Sequence, residues 1–191
     1  MLINALVFLM NTLLGLMSLA FLLRFYLQAT NAPFRNPLSQ AVVTLTDFAV
    51  VPLRRVIPSM FKLDTSTLLL AFITQLILQS ALRYLGDFPF ALAGNSIWLG
   101  LIGLSALHVA NLSVDLFLYA IVAQALLSWV NPYTPIAPAL DALTRPILSP
   151  IRQFIPSPNG LDLSPLVAIL AAQLIQMLVF APLEMTIIKL F

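Results

Sequence analysis

The sequence predicts an all-α polytopic membrane protein with four transmembrane helices, or alternatively five, in two tandem repeats that each carry a proline-rich interfacial connector. Three observations lead there. Of 191 residues, 61% are hydrophobic and 8% charged, against roughly 25% charged in a soluble domain. Apolar runs long enough to cross ~30 Å of hydrocarbon recur along the chain. The chain also aligns with itself at an offset of 98 residues.

The first span covers residues 2–23, interrupted only by Asn4, Asn11, Thr12 and Ser18 and closed by Arg24. A cleaved signal would open with basic residues, whereas here they follow the apolar run, so the segment is expected to stay in the protein. A second span runs from Thr67 to Leu85, with Arg83 near enough to its end to snorkel. The last runs from Leu166 to about Ile188, and Pro182 is expected to kink it. Between them the chain is apolar from Phe90 to Val130, too long for one span and barely enough for two. Charge favours a single span, Leu107–Val130. Arg24, Arg35, Arg54, Arg55 and Lys62 flank the first connector, Arg145 and Arg152 the second, and residues 86–106 hold no Lys or Arg. The positive-inside rule then puts both connectors in the cytoplasm, with an even number of crossings between them. The division that follows is a first repeat at 1–85, a linker at 86–106 holding a short re-entrant or interfacial helix, and a second repeat at 107–191. Five spans would make the repeats inverted.

The repeat is the sharpest signal. Residues 52–77 align without a gap to 150–175 and match at 12 of 26 positions, among them Pro52/Pro150, Arg54/Arg152, Pro58/Pro156, Asp64/Asp162, Ser66/Ser164 and Gln75/Gln173. Polar and proline matches do not follow from an apolar bias, so the chain reads as a duplication. Leu45-Thr46 matches Leu143-Thr144 at the same offset, and LLRF at 22–25 corresponds to LLSW at 126–129. Twelve of the fourteen prolines fall in 33–58 and 132–165, which argues against long helices there. In the first connector, Leu38, Ala41, Val42, Leu45, Phe48 and Ala49 keep helical spacing opposite Ser39, Gln40, Thr44, Thr46 and Asp47, the pattern of a helix lying in the interface. The second connector, interrupted by Pro138, Pro146 and Pro150, should have shorter helical turns.

Two constellations carry the candidate chemistry. In the connectors, Ser164 before Pro165 reads as a helix N-cap, and Ser66 as its counterpart. Asp64 and Asp162 precede those serines by two residues and follow Arg54 and Arg152 by ten, which predicts an Arg54–Asp64 and an Arg152–Asp162 pair folding each connector into a compact turn. Arg55 adds a charge for anionic headgroups, although two adjacent arginines fall short of a lipid-binding cluster. In the third span, His108, Asn111, Asp115 and Tyr119 recur at spacings of three and four and share one helix face. An ionisable group at that depth is either a hydrogen-bonded tie between helices, through Arg83 or the Gln75–Gln79 face of the second span, or part of a proton or ion path. The repeat matches Asp115 to Asn11, so the acid is not duplicated.

Much is excluded. Without cysteine, and with one histidine, the chain offers no disulfide, thiolate nucleophile or multi-histidine metal site. It has no phosphate-cradling glycine loop and no paired carboxylates on one face, so neither an enzyme nor a resident cofactor is expected. A net charge of +2 gives no electrostatic footprint for nucleic acid.

Taken together, PLRRVIP and PIRQFIP, the DTS and LDLSP that follow them, NPLSQ at 36–40 and LLSW at 126–129 resemble the bacterial YggT family, also called YlmG, over nearly the whole chain. The sequence departs from the family pattern at Gln153 and at Met60-Phe61-Lys62. The resemblance implies a multi-pass protein of the bacterial inner membrane. It also carries family links to osmotic or extracytoplasmic stress, to cell-division gene neighbourhoods and, in plastids, to cytochrome complex maturation. The function expected from it is a non-enzymatic scaffold or assembly factor for envelope or cell-division components, acting in the lipid bilayer through its connectors on membrane-protein partners. The alternative is a small transporter or channel-related factor in the stress response. Homo-oligomerisation stays open on these grounds.

Overall fold

The computed structural model describes residues 1–57, 63–86, 96–131, 133–155 and 162–189. Pro58 and Pro156 of the repeat motif lie outside them. The chain is all-helical: α1 (Leu2–Ala29), α2 (Pro37–Arg54), α3 (Thr65–Leu85), α4 (Ser96–Val130), α5 (Ala137–Phe154), α6 (Ser164–Ile175), a π turn (Gln176–Phe180) and α7 (Ala181–Ile188). Among the described residues, four helical stretches are long and apolar enough to cross a membrane: α1, α3, α4, and α6 continued through α7. Six hydroxyls within the spans are satisfied locally, whereas that of Ser18 is buried without a partner among the described residues. Thr12, Thr74, Ser80, Ser105, Ser113 and Thr186 each donate to the carbonyl four residues back, which removes the cost of bare polar groups in lipid.

The linker helix expected within 86–106 is not a separate element in its described part. Residues 96–106 are the opening turns of α4, which runs 35 residues without interruption. No proline lies between Pro89 and Pro132, and glycines alone, here Gly100 and Gly103, do not break an otherwise apolar helix. At about 1.5 Å per residue, α4 is roughly 52 Å long, more than one bilayer core needs. Gly103 brings it against α7, where a Cβ would sit 3.8 Å from Ile187.

Both copies share one core. Phe21 and Leu22 of α1, Val50 of α2, Ala71 of α3, Val109, Leu116 and Ala120 of α4, and Leu140 and Leu143 of α5 form a single buried cluster. A smaller cluster packs Ala139 of α5 against Leu27 and Ala32 at the end of α1, so the two connectors lie on the same side of the bundle. That arrangement requires an even number of crossings between them and makes the copies parallel.

The connectors correct two expectations. α5 is as long as α2, at 18 residues each. Pro138 enters at the helix start, where no N–H is needed, and Pro146 and Pro150 lie on the exposed face, opposite buried Ala139, Leu140, Leu143, Thr144 and Leu148. The missing donors therefore fall where the lost bonds cost least. On α2 the packed face is Ser39, Val42, Thr46 and Val50, while Leu45 and Phe48 point outward. An interfacial helix that turns apolar residues to lipid can give its polar side to the protein, provided the protein supplies a polar partner.

Candidate functional site

That partner is Arg24. Expected only to close the first span, it instead sits inside α1 at 5% exposure. Its Nη1 donates to Thr46 Oγ1 at 2.7 Å, to Asp47 Oδ1 at 2.8 Å and to the Val43 carbonyl at 3.4 Å. A buried guanidinium is tolerated because its protons are used and a carboxylate balances its charge. The second copy builds the same junction without the charge. Thr144, the repeat mate of Thr46, donates to Gln124 Oε1 of α4, and Gln124 Nε2 lies 3.4 Å from Asp141 Oδ1, whose other oxygen pairs with Arg145. The sequence carried one signal for this, the Leu45-Thr46 and Leu143-Thr144 match. The partners themselves were missed because Arg24 and Gln124 do not occupy matching positions.

Both motif pairs form. Asp64 receives Arg54, with Nε at 3.4 Å from Oδ1 and Nη2 on Oδ2, and Asp162 Oδ2 receives Arg152 Nε at 2.9 Å. Their settings differ. The Asp64 side chain is fully buried beside a 42% exposed Arg54, whereas Arg152 and Asp162 are 45% and 40% exposed. Burial pushes the Asp162 carboxyl up, but hydrogen bonds from Ser164 and the hydrogen bond and charge of Arg152 outweigh it and hold the group below its ordinary value.

The serines are not the caps. Thr65 and Ser164 are the first helical residues of α3 and α6, and Asp64 stands at the cap position of α3. The carboxylate takes the role instead: Asp162 Oδ1 accepts the Ser164 N–H at 2.9 Å, and an anion there suits the positive end of the helix. Ser66, inside the first turn, donates to the Ile57 carbonyl at 2.9 Å and ties α3 back to the connector. Pro52 lies within the last turn of α2 and Pro150 within α5, while Arg55 caps α2 as an exposed residue. Alongside α5, exposed Pro138, Pro146 and Pro150 and the turn Thr30–Pro33 frame an open groove of about 680 Å3. Asn31 is held there at φ 53°.

The intramembrane face resolves differently. His108, Asn111 and Asp115 turn toward the last span, while Tyr119, 57% exposed, does not join them. Asp115 is tied neither to Arg83 nor to the Gln75–Gln79 face. Gln176 Nε2 of the π turn donates to Asp115 Oδ1 at 2.6 Å. Two turns outward, His108 Nε2 lies 3.6 Å from Glu184 Oε1 of α7. His108, Asn111, Gln176, Phe180 and Glu184 line a cavity of about 250 Å3. The π turn ends two residues before Pro182, which cannot bond back to Leu178, and the wider turn accommodates that loss. Gln176 and Glu184 were missed, although Gln176, Phe180 and Glu184 follow one another at spacings of four, and Glu184 is the sole acid of the last apolar run. The cavity belongs to the second copy alone: the matches of Asn111, Gln176 and Glu184 are Val7, Leu78 and Gly86, and Asn11 is exposed.

Known proteins place these features in a lineage. A family model described as CCB3/YggT matches residues 3–85 and 104–183. The chain is 39% identical over 183 residues to a protein of Pseudomonas aeruginosa, covering 92% of this chain and 88% of that one. It is 36% identical over 186 residues to protein YggT of Escherichia coli K12, covering 96% and 93%. It is 33% identical over 158 residues to a protein of Haemophilus influenzae, covering 82% and 81%. No solved structure matches. Matched in two segments, consistent with two repeats, the chain is a multi-pass membrane protein that belongs to the CCB3/YggT family.

Proposed function

We propose that this protein is a non-enzymatic scaffold of the bacterial inner membrane that helps assemble envelope or cell-division components, with its two basic connectors in the cytoplasm and repeat boundaries at 1–85 and 107–191. The observation that carries the reading is the groove between the α1 end and the proline face of α5. Prolines fix its wall in advance, so a partner segment would order little of this chain on binding, and such preorganisation favours affinity. The Arg54–Asp64 and Arg152–Asp162 pairs tie each connector to the span that follows it, and Arg55 stands exposed at the end of α2.

Photo-crosslinking in cells tests it. A reactive residue at Ser149, in the groove, should capture the same few membrane proteins in repeated experiments, and one at outward-facing Leu174 should not. Equal, diffuse capture from both positions would refute the scaffold.

A second reading, a small transporter or channel-related factor in osmotic or extracytoplasmic stress, is favoured by the cavity between α4 and α7. A flux assay with the reconstituted chain decides it.

A further inference from the structure

The cavity between α4 and the last span carries an inference of its own. It sits in the membrane half opposite the connectors: His108 lies in the N-terminal half of α4, Glu184 in the first turn of α7 toward the end of the last span, and Arg83 near the end of α3. Along α4 the polar ladder His108, Asn111, Asp115 rises seven residues, about 10 Å. Beyond Asp115 it stops. Leu116 and Ala120 are buried in the central core, and Ile121 packs on Leu148 and Ala168. Where the ladder ends, α4 packs on α6 through Ile121 and Ala168, so the polar lining of this vestibule does not continue toward the connectors.

Its chemistry favours a cation. Glu184 and Asp115 each bring a formal negative charge, and Arg83, within electrostatic reach of His108 and Glu184, brings one positive. With His108 neutral, the described groups facing this space sum to one negative charge in a setting where an uncompensated charge is costly. The donors are oxygens. Asn111 Oδ1 is buried with no hydrogen-bond partner. Gln176 uses its amide nitrogen on Asp115, which leaves its oxygen as an acceptor, and Glu184 stands at the mouth with its side chain 43% exposed. Oxygen-only sets suit hard cations. Glu184 is the one carboxylate among the lining residues, which matches a single positive charge better than a divalent ion. The volume, about 250 Å3, accommodates an ion with several waters, each of about 30 Å3.

We propose that this vestibule binds one small hydrated monovalent cation, Na⁺ or K⁺, through Asn111, Gln176 and Glu184, with Asp115 supplying charge from behind Gln176. The site shares its cavity with the transport reading, but the apolar packing of Ile121 on Ala168 beyond Asp115 favours a binding site over an open path.

Isothermal titration of the full chain in phosphatidylethanolamine–phosphatidylglycerol nanodiscs, with NaCl or KCl replacing choline chloride at constant ionic strength, tests it. Saturable binding of one ion per chain is expected. Glu184→Gln, at a partly exposed position, and Asn111→Leu should each weaken it at least tenfold, with Asn111→Asp restoring it. Absence of saturable binding for both ions, or affinities unchanged in both weakened variants, overturns the proposal. So does a titration of the His108 ring, followed by 15N NMR, that neither ion shifts, because the vestibule would then hold a proton instead. Ion flux across vesicles reports on the transport reading, and capture from Ser149 on the scaffold, so the three fail separately.

Discussion

Thr46 and Thr144, 98 positions apart, hold the same station in the two copies: each is wholly buried and each is hydrogen-bonded to a polar side chain of the span that precedes its connector. Arg24 fills that role in the first copy and Gln124 in the second. The connector helices are therefore docked onto the bundle by a polar contact rather than by hydrophobic packing alone.

Replacing either threonine by valine keeps the volume and deletes the contact. A hydrogen bond to a charged group contributes about 1.5–3 kcal/mol and one between neutral groups about 1 kcal/mol. Thr46→Val should therefore destabilise the protein more than Thr144→Val, and Thr46→Ser should recover most of the loss. Unfolding in mixed detergent micelles checks the order; equal losses would show that the Arg24 charge adds nothing.

The two motif pairs should likewise prove unequal. Asp64 is fully buried while Arg54 is 42% exposed, so losing one member should cost less than the roughly 3–5 kcal/mol of a wholly buried pair but more than an exposed one. The Arg152–Asp162 pair is exposed on both sides, and such pairs contribute about 0–1 kcal/mol. Asp64→Asn is expected to lower the unfolding midpoint clearly and Asp162→Asn scarcely, measured side by side in the same micelles.

Acid should act on the second connector in one direction. Because hydrogen bonds from Ser164 and Arg152 outweigh burial and hold Asp162 below its ordinary value of 3.8, its contribution is fully present above that value and fades as pH falls through the lower folded one. Between pH 5 and 8 it is constant. Carbon-13 NMR of the labelled carboxylate should place its midpoint below 3.8, and Arg152→Ala should raise it.

The spans, the duplication and the Arg54–Asp64 and Arg152–Asp162 pairs were legible because each rests on local pattern: an apolar run, an offset, a ten-residue spacing. The Arg24 junction was not, because an arginine after a largely apolar run of 22 residues looks like a flank until α2 folds over it. The length of α5 was hidden by its prolines, whose cost depends on which face meets solvent. The partner of Asp115 was hidden for a topological reason. His108, Asn111 and Asp115 share a helix face by spacing alone, but which helix they meet depends on how the copies pack, and Gln176 stands 61 positions away.

That last contact can be apportioned. Interhelical hydrogen bonds in membranes average about 0.6 kcal/mol and reach about 1.7, because the unfolded chain also finds partners in the bilayer. Gln176→Leu leaves the Asp115 carboxylate without its donor, and Asp115→Leu leaves the Gln176 amide without its acceptor, so each single change should destabilise. The double replacement removes both orphaned groups and should cost less than the sum of the two. The expected coupling is about 1 kcal/mol or more, above the membrane average, because the acceptor is a carboxylate. A double-mutant cycle on unfolding free energies gives the number. Strict additivity would mean that Asp115 does not hold the two helices together, and its place under the vestibule floor would then owe nothing to structural glue.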